Sequence, residues 1–505
     1  MSQSSSNTGV SILDLPDIVT VLFERARRPL LPGAAQTPGL FVRYLRRKPA
    51  RGLAVIYAVD EVGQRKGEHA HDPHRSVSLT LDEQALDGAN IRFSEAQARE
   101  TALEVQPSGV LRAEAIGLSA QAFPADSGLP MLAASCDTAL NQVFEALEKS
   151  AQTQLLDEAW KLAAAAAEPV RYKPANRCVI RYRLTLEHSQ HAENRHLTLF
   201  GKVYADPRQA RSVQALQQRL YDEQSSKLGD IVAGQVYRAP FLPRPLGIID
   251  ELGLTLNEAV QPANAGEQML TGTRALRPQL SHGRGGEITS IIIPIEELRL
   301  TAVALARLHN SAVRPDEGAP RTGGKEAKRA RERAALIAIH NPAQAEEVQR
   351  LAQQLASLLE TLQPGSYLPA HGGFKSSQLL FHSHQVFVVD FDGFCIADAA
   401  LDVGYFLAYL RPSSLWYQRP GMRAWFEAAA EVFTTTYRQA MMELGATPAA
   451  IDGILERSRL YEAALLFKIA TRRANRLNSP RPKELSAMLD EIAACLPDQV
   501  RRKEP

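Results

Sequence analysis

The chain has 505 residues, enough for several domains, and it is 45% hydrophobic and 23% charged, an ordinary globular composition that excludes a coiled-coil rod or a disordered chain. Its 31 glycines and 30 prolines exclude a collagen-like or linker-like polymer. A formal net charge of +2 supplies no global field to draw the chain onto nucleic acid or an anionic membrane, so no nucleic-acid partner is expected. Cys136, Cys178, Cys395 and Cys495 lie far apart with no Cys-x-x-Cys pair, which argues against a disulfide scaffold or zinc site. The first ten residues lack a basic start and an apolar core. No run of 18 apolar residues occurs, so no membrane span is expected and the location read from the sequence is cytoplasmic.

In chain order, residues 12–28 read as a helix, with Ile18, Val21 and Leu22 near one face. β-like stretches follow at 41–44, 53–59, 76–81 and 91–93. The turn at 68–74 carries His69, His71 and His74 and reads as a solvated hairpin tip, since no carboxylate or cysteine ligand follows at helical spacing. Residues 138–168 give the clearest helical signal: Leu140, Val143, Phe144 and Leu147 recur at helical spacing, and five alanines precede Glu168-Pro169. Beyond Pro169 the period becomes two, predicting adjacent strands at 178–184 and 197–205 joined by a polar hairpin, then a helix from Pro207 to about Gln224.

Residues 246–249 and 254–260 read as strand and hinge, 266–286 as a glycine-rich loop, and 296–313 as a helix. A linker at 314–324 precedes two helical stretches reaching Leu362, and the end of the chain is helical over 422–444, 449–475 and 482–495. The tripeptide Lys-Pro-Ala occurs at 48–50 and 173–175, each time nine residues before a tyrosine (Tyr57, Tyr182). Chance accounts for such an echo; a duplicated β module is the other reading, and it predicts that residues 36–135 pair with one another and bury Val55 and Tyr57.

The chemistry is concentrated in His371-Gly372-Gly373-Phe374-Lys375-Ser376-Ser377-Gln378, followed by an apolar run ending in Asp390-Phe391-Asp392, then Asp398-Ala399-Ala400-Leu401-Asp402. Carboxylates closing an apolar strand are costly unless they hold a cation or accept hydrogen bonds, which suggests a metal–phosphate site. The order and spacing of the three segments resemble those of the aminoglycoside phosphotransferase and choline kinase-like family: His-Gly-Asp, four residues and Asn, then Asp-Phe-Asp, then a Gly-Asp-Pro-Ala-Leu-Asp-like stretch. The tripeptide His371-Gly372-Gly373 also suits an esterase oxyanion loop, but the chain has no Gly-x-Ser-x-Gly elbow.

The resemblance covers about residues 170–480 and implies an α+β, bilobal, protein-kinase-like fold with a β-rich small lobe and a helical large lobe. The implied layout is an N-terminal α+β extension at 1–135, a linking helix, small lobe and hinge at 136–262, and a helical large lobe at 263–505. It implies ATP and Mg²⁺: Lys202 as the strand lysine for the nucleotide phosphates, Asp390 as principal metal ligand, with Asp392 and Gln378 as further ligands. His371, Gly373 and Lys375 fall in the catalytic loop, Lys375 where a cation would stand near the transferred phosphate, while Asp398 and Asp402 are expected to fix the loop through backbone hydrogen bonds.

Two positions depart from the pattern. Gly373 replaces the aspartate that would act as catalytic base, and Gln378 replaces the asparagine, one methylene longer and so displaced by about an ångström. No early glutamate follows Lys202; Asp222 and Glu223 come late in the next helix. The implied function is ATP-dependent phosphate transfer to an unspecified small-molecule acceptor, weakened by the missing base; the alternative is an inactive nucleotide-binding pseudokinase or scaffold. Lys468, Arg472, Arg473 and Arg476 share one helical stretch, read as a solvated or carboxylate-pairing stripe, with contact to an anionic substrate as the other possibility.

Overall fold

In a computed structural model of the chain, the described residues are 10–11, 15–30, 39–48, 52–60, 72–87, 90–260, 269–282, 288–474 and 481–497. They form two compact units, one of residues 1–211 with 246–258 and one of 212–245 with 259–505. The fold class is the predicted one: mixed helix and sheet, β-rich toward the N-terminus and helical toward the C-terminus.

The first unit opens with helix α1 (Leu15–Arg25), whose face of Ile18, Val19 and Leu22 is buried. Six strands then form one antiparallel sheet: β1 (Gly39–Lys48), β2 (Gly52–Asp60), β3 (Ser76–Leu81), β4 (Glu104–Val105), β5 (Leu111–Ala113) and β6 (Leu118–Ala122), in the order β1-β2-β3-β6-β5-β4. Val55 and Tyr57 are each 1% exposed inside it, as the module reading predicts. The Lys-Pro-Ala echo has a structural counterpart, since Lys48 closes β1 where it pairs with Gly52 of β2. His69 and His71 of the histidine-rich turn lie outside the described residues.

Helix α2 (Asn141–Leu155) is shorter than its sequence signal, because Leu156 turns left-handed at φ 57°. The alanine run is not helical: it lies in strand β7 (Trp160–Lys173), paired along its length with β8 (Arg177–His188). Alanine's helical propensity is a few tenths of a kcal/mol per residue, less than the ladder and the burial of Trp160 and Leu162 supply. Pro169 is tolerated because β7 is an edge strand with a bulge between Pro169 and Arg171. Strand β9 (Asn194–Tyr204) pairs with β8 and leads into α3 (Pro207–Ser225), and β10 (Pro245–Ile249) and β11 (Leu254–Glu258) complete the five-stranded order β7-β8-β9-β11-β10.

Lys173 closes β7 as Lys48 closes β1, and Tyr182, like Tyr57, is buried. Asp126, 2% exposed, ties the N-terminal segment to this hairpin: its carboxylate accepts from the Tyr172 hydroxyl (2.7 Å) and the Ala175 and Gly128 amides (2.9 and 2.8 Å).

In the second unit, α4 (Ile295–His309) is followed by α5 (Gly323–His340) and α6 (Ala345–Glu360). Short strands β12 (Leu368–Ala370), β13 (Leu379–His382), β14 (Gln385–Val388) and β15 (Cys395–Ala397) carry the predicted chemistry. Four helices follow: α7 (Ala400–Leu410), α8 (Met422–Glu443), α9 (Pro448–Ala474) and α10 (Leu485–Cys495). Their core includes Phe374, Phe391, Phe406, Trp425, Phe433 and Phe467. No helix among the described residues is long and apolar enough to cross a membrane.

Asp126→Ala strands a buried phenol and two amides, so it is expected to cost about 3 kcal/mol, measured as a lower midpoint in chemical denaturation, while Asp126→Asn recovers part of the loss.

Candidate functional site

The loop from His371 to Gln378 joins β12 to β13, and the turn from Asp390 to Gly393 joins β14 to β15. The hairpin β13–β14 holds the two in register, with Leu379 opposite Val388, and the Val389 amide donates to the Gln378 carbonyl at 2.9 Å. Beside this ladder the Gln378 Nε2 donates to Asp390 Oδ2 at 3.3 Å. Loop and turn also touch through their backbones. Gly372 lies at φ +71°, and a Cβ there would come within 2.1 Å of the Gly393 carbonyl, so only glycine fits.

His371 is 1% exposed, and its Nε2–H donates to the Val389 carbonyl at 3.2 Å, because a carbonyl can only accept. Burial holds this imidazole below its ordinary pKa and keeps it neutral. Its backbone amide donates to Asp402 Oδ2 at 2.5 Å. Asp402 is fully buried; burial pushes its carboxyl upward, but the neighbouring His309 imidazole, His371 and that amide outweigh it and leave the pKa below the usual value. Asp398 accepts the Ala400 amide at 3.1 Å and binds Arg457 by two parallel bonds of 2.7 and 3.0 Å. Both aspartates thus accept backbone hydrogen bonds, as expected.

The two carboxylates of Asp390-Phe391-Asp392 do not alternate along a strand, as an extended run would require. The strand ends at Val388, Asp390 is left-handed at φ 72°, and Phe391–Gly393 is a single 3₁₀ turn. Asp390 and Asp392 are both half-buried there. Gln378 is 8% exposed, and its Oε1 is buried without a hydrogen-bond partner. That orphaned oxygen beside the Asp390 carboxylate is a donor set suited to a hard cation. Among the described residues no three His, Cys, Asp or Glu side chains cluster for a metal, which is compatible with magnesium bound through one or two carboxylates and substrate phosphates.

Gly373 has ordinary backbone angles, and a Cβ there would meet nothing within 4 Å. Lys375, half-buried, has its Nζ 5.4 Å from the Tyr409 ring centre. Its ammonium is held below the ordinary pKa by burial and then by Lys468 and Arg472, with Asp390 opposing. Lys202 lies in β9 of the other unit, paired with Val179 and Thr255, its Nζ 5.1 Å from the Tyr204 ring. Glu223 is committed elsewhere: it accepts from the Ser311 hydroxyl, from the Ala312 amide at 3.0 Å and from Lys227 at 3.0 Å.

Arg321 gave no signal in the sequence, where it falls in a polar linker. It donates to the Gly372 carbonyl at 2.7 Å and pairs with buried Glu326 at 2.7 Å, so it fixes the loop from outside the motif. The basic stretch on α9 divides: Arg473 pairs with Glu484 at 2.5 Å, whereas Lys468 and Arg472 reach tyrosine hydroxyls. Arg476 lies outside the described residues.

Asp402→Ala is expected to cost about 3–5 kcal/mol at neutral pH, because it leaves buried donors unpaired. A depressed carboxyl pKa stabilises the fold above its unfolded value near 4, and that stability is lost as pH falls through the folded value. The acid limb of a melting-temperature profile should therefore flatten in the variant.

Comparison with known families matches residues 294–444 to the model described as a phosphotransferase enzyme family. Comparison with curated proteins gives no match. Among solved structures the chain is similar to a glucosamine kinase in complex with glucosamine, ADP and inorganic phosphate (17% identity, 95% of this chain and 99% of that one, TM-score 0.41). A choline/ethanolamine kinase family protein from Mesorhizobium loti shares 14% identity over 72% of this chain and 96% of that one, TM-score 0.37. A spectinomycin phosphotransferase in complex with ADP and spectinomycin shares 10% over 66% and 94%, TM-score 0.38. The matched segment, 294–444, holds the loop, the Asp-Phe-Asp turn and the paired aspartates, and over that segment the chain is similar to the phosphotransferase enzyme family.

Proposed function

We propose that the chain transfers phosphate from Mg²⁺-ATP to a small molecule and is slow toward ordinary hydroxyl acceptors. The observation that carries this reading is the pairing of Gln378 with Asp390, where an orphaned amide oxygen adjoins a carboxylate at the junction of loop and turn. Asp390 would hold the magnesium, with Gln378 and Asp392 as further ligands, and bound there the ion would neutralise phosphate charge. Lys202 would hold the nucleotide phosphates, and Lys375 would stand beside the phosphoryl group in transfer. His371 acts as a positioning residue, since its Nε2–H is committed to the Val389 carbonyl next to Asp390. In this reading residues 136–262 serve as linking helix, nucleotide lobe and hinge, 263–505 as the helical lobe, and 1–135 as an extension that braces the first hairpin.

Phosphoryl transfer depends mainly on positioning and charge stabilisation. Loss of a general base costs on the order of 10²–10⁴-fold. Gly373 thus also favours a second reading, a nucleotide-binding pseudokinase or scaffold.

Mg²⁺-ATP at millimolar concentration is expected to raise the melting temperature by about 2 °C or more, since a ligand of the native state stabilises it. Asp390→Ala should abolish the rise. A flat profile with magnesium and with manganese would leave only the scaffold.

Because a side chain at 373 has open space, Gly373→Asp combined with Gln378→Asn is expected to raise ATP turnover with hydroxyl acceptors by about 10²-fold or more. Coupled release of ADP measures it, and an unchanged rate would mean that base and ligand are not what limits the wild type.

A further inference from the structure

Helix α7 carries Tyr405 and Tyr409 one turn apart, their rings stacked with centres 6.4 Å apart. It meets α9 at Gly404, where a Cβ would lie 2.5 Å from the Ser458 carbonyl. That close approach brings Lys468 and Arg472 of α9 to the tyrosines: Lys468 Nζ donates to the Tyr405 hydroxyl at 3.1 Å, and Arg472 Nη1 to the Tyr409 hydroxyl at 3.3 Å. Lys375, from the catalytic loop, faces the Tyr409 ring and feels both cations. Lys468, half-buried, is held below its ordinary pKa chiefly by burial, with Arg472 and Arg333 adding to it against Tyr405.

Three nearby arginines have carboxylates: Arg321 and Arg329 share Glu326, and Arg473 has Glu484, while Arg333 donates to the Ala464 carbonyl. Lys375, Lys468 and Arg472 form no ion pair among the described residues, although Asp390 acts on Lys375 through its charge. Three cations gathered around two phenols with so little counter-charge are costly in the free protein and favour an anion.

A separate observation concerns Gly373. Its backbone is not left-handed and the space for a side chain is open, so packing would admit an aspartate there. A hydroxyl acceptor needs a base at this place and gains little from surrounding cations. An acceptor oxygen that is already ionised needs no base, needs cations, and would be repelled by a carboxylate at 373.

We propose, building on the phosphotransferase reading, that the acceptor oxygen is an oxyanion of a carboxylate or phosphate group, held by Lys375, Lys468 and Arg472. In the step, a lone pair of that oxygen attacks the γ-phosphorus of ATP and the new O–P bond forms. The bond from phosphorus to the β,γ-bridging oxygen breaks, and its electron pair leaves with ADP. No proton is taken from the acceptor and nothing is oxidised or reduced. A carboxylate gives an acyl phosphate and a phosphate gives a phosphoanhydride.

Calorimetric titration of the full chain with succinate, inorganic phosphate and pyrophosphate, each with and without saturating Mg²⁺-ADP, tests the site. At least one is expected to bind at millimolar concentration in both conditions, and at least tenfold more weakly in the double variant Lys468→Gln, Arg472→Gln. Mg²⁺-ADP binding should be unchanged in that variant, which also shows that it is folded. With Mg²⁺-ATP, hydroxylamine trapping detects acyl phosphate and phosphorus NMR detects the anhydride, which separates the two acceptor classes.

The proposal is overturned if none of the three anions binds. It is equally overturned if Mg²⁺-ADP abolishes their binding, since the cations would then serve the nucleotide, or if the wild type phosphorylates a hydroxyl compound briskly at a rate the double variant retains. Oxyanion binding without any nucleotide binding would sink the phosphotransferase reading and the transfer step, while supporting the anion site itself.

Discussion

A buried carboxylate with no exposure to solvent, Asp402, takes the amide of His371 and so fixes the first residue of the loop from His371 to Gln378. An ionised group in that position is tolerable only because the loop amide and the His309 and His371 imidazoles surround it. From this anchor the rest follows in short steps. His371, held by its backbone, turns its ring to the Val389 carbonyl and locates the residue before Asp390. Gly372 lets the loop lie against the turn at Gly393, and Arg321 grips the Gly372 carbonyl from the other side. Gln378 and Asp390 are therefore brought within hydrogen-bond distance by a rigid scaffold rather than by their own attraction.

The same logic of buried polar anchors recurs in the first unit. Asp126 satisfies a phenol and two amides between the N-terminal segment and the hairpin of β7 and β8. The two Lys-Pro-Ala segments each follow a strand that ends on the lysine, and each hairpin buries its tyrosine. A common ancestry of the two hairpins is compatible with this, and so is convergence on a strand pair whose tyrosine fills the core.

The electrostatics of the second unit have the opposite character from those expected of a site for a cationic acceptor. Several of its buried carboxylates are committed to structural arginines: Asp398 to Arg457, Glu326 to Arg321 and Arg329, Glu484 to Arg473. The lysines near the loop have tyrosine hydroxyls and ring faces for partners instead, which stabilise a cation weakly. Lys468 and Arg472 act through their charge on Lys375, two residues beyond Gly373.

The sequence alone determined the elements whose periodicity is strong and the three-part motif, because the order and spacing of short motifs can be read without any tertiary contact. The helices of the C-terminal half other than α7, the hairpin of β8 and β9 and the segment from His371 to Asp402 were legible in this way, as was the absence of a side chain at 373. Tertiary structure alone decided the alanine run, where pairing with β8 overrode a weak helical preference. It also decided the conformation at Asp390, where the chain leaves the strand one residue before the carboxylates and alternation ceases to apply. The partners of Lys468 and Arg472 were hidden for a similar reason. They depend on how closely α7 approaches α9 at Gly404, a distance set by packing between segments some sixty residues apart, which no local pattern records.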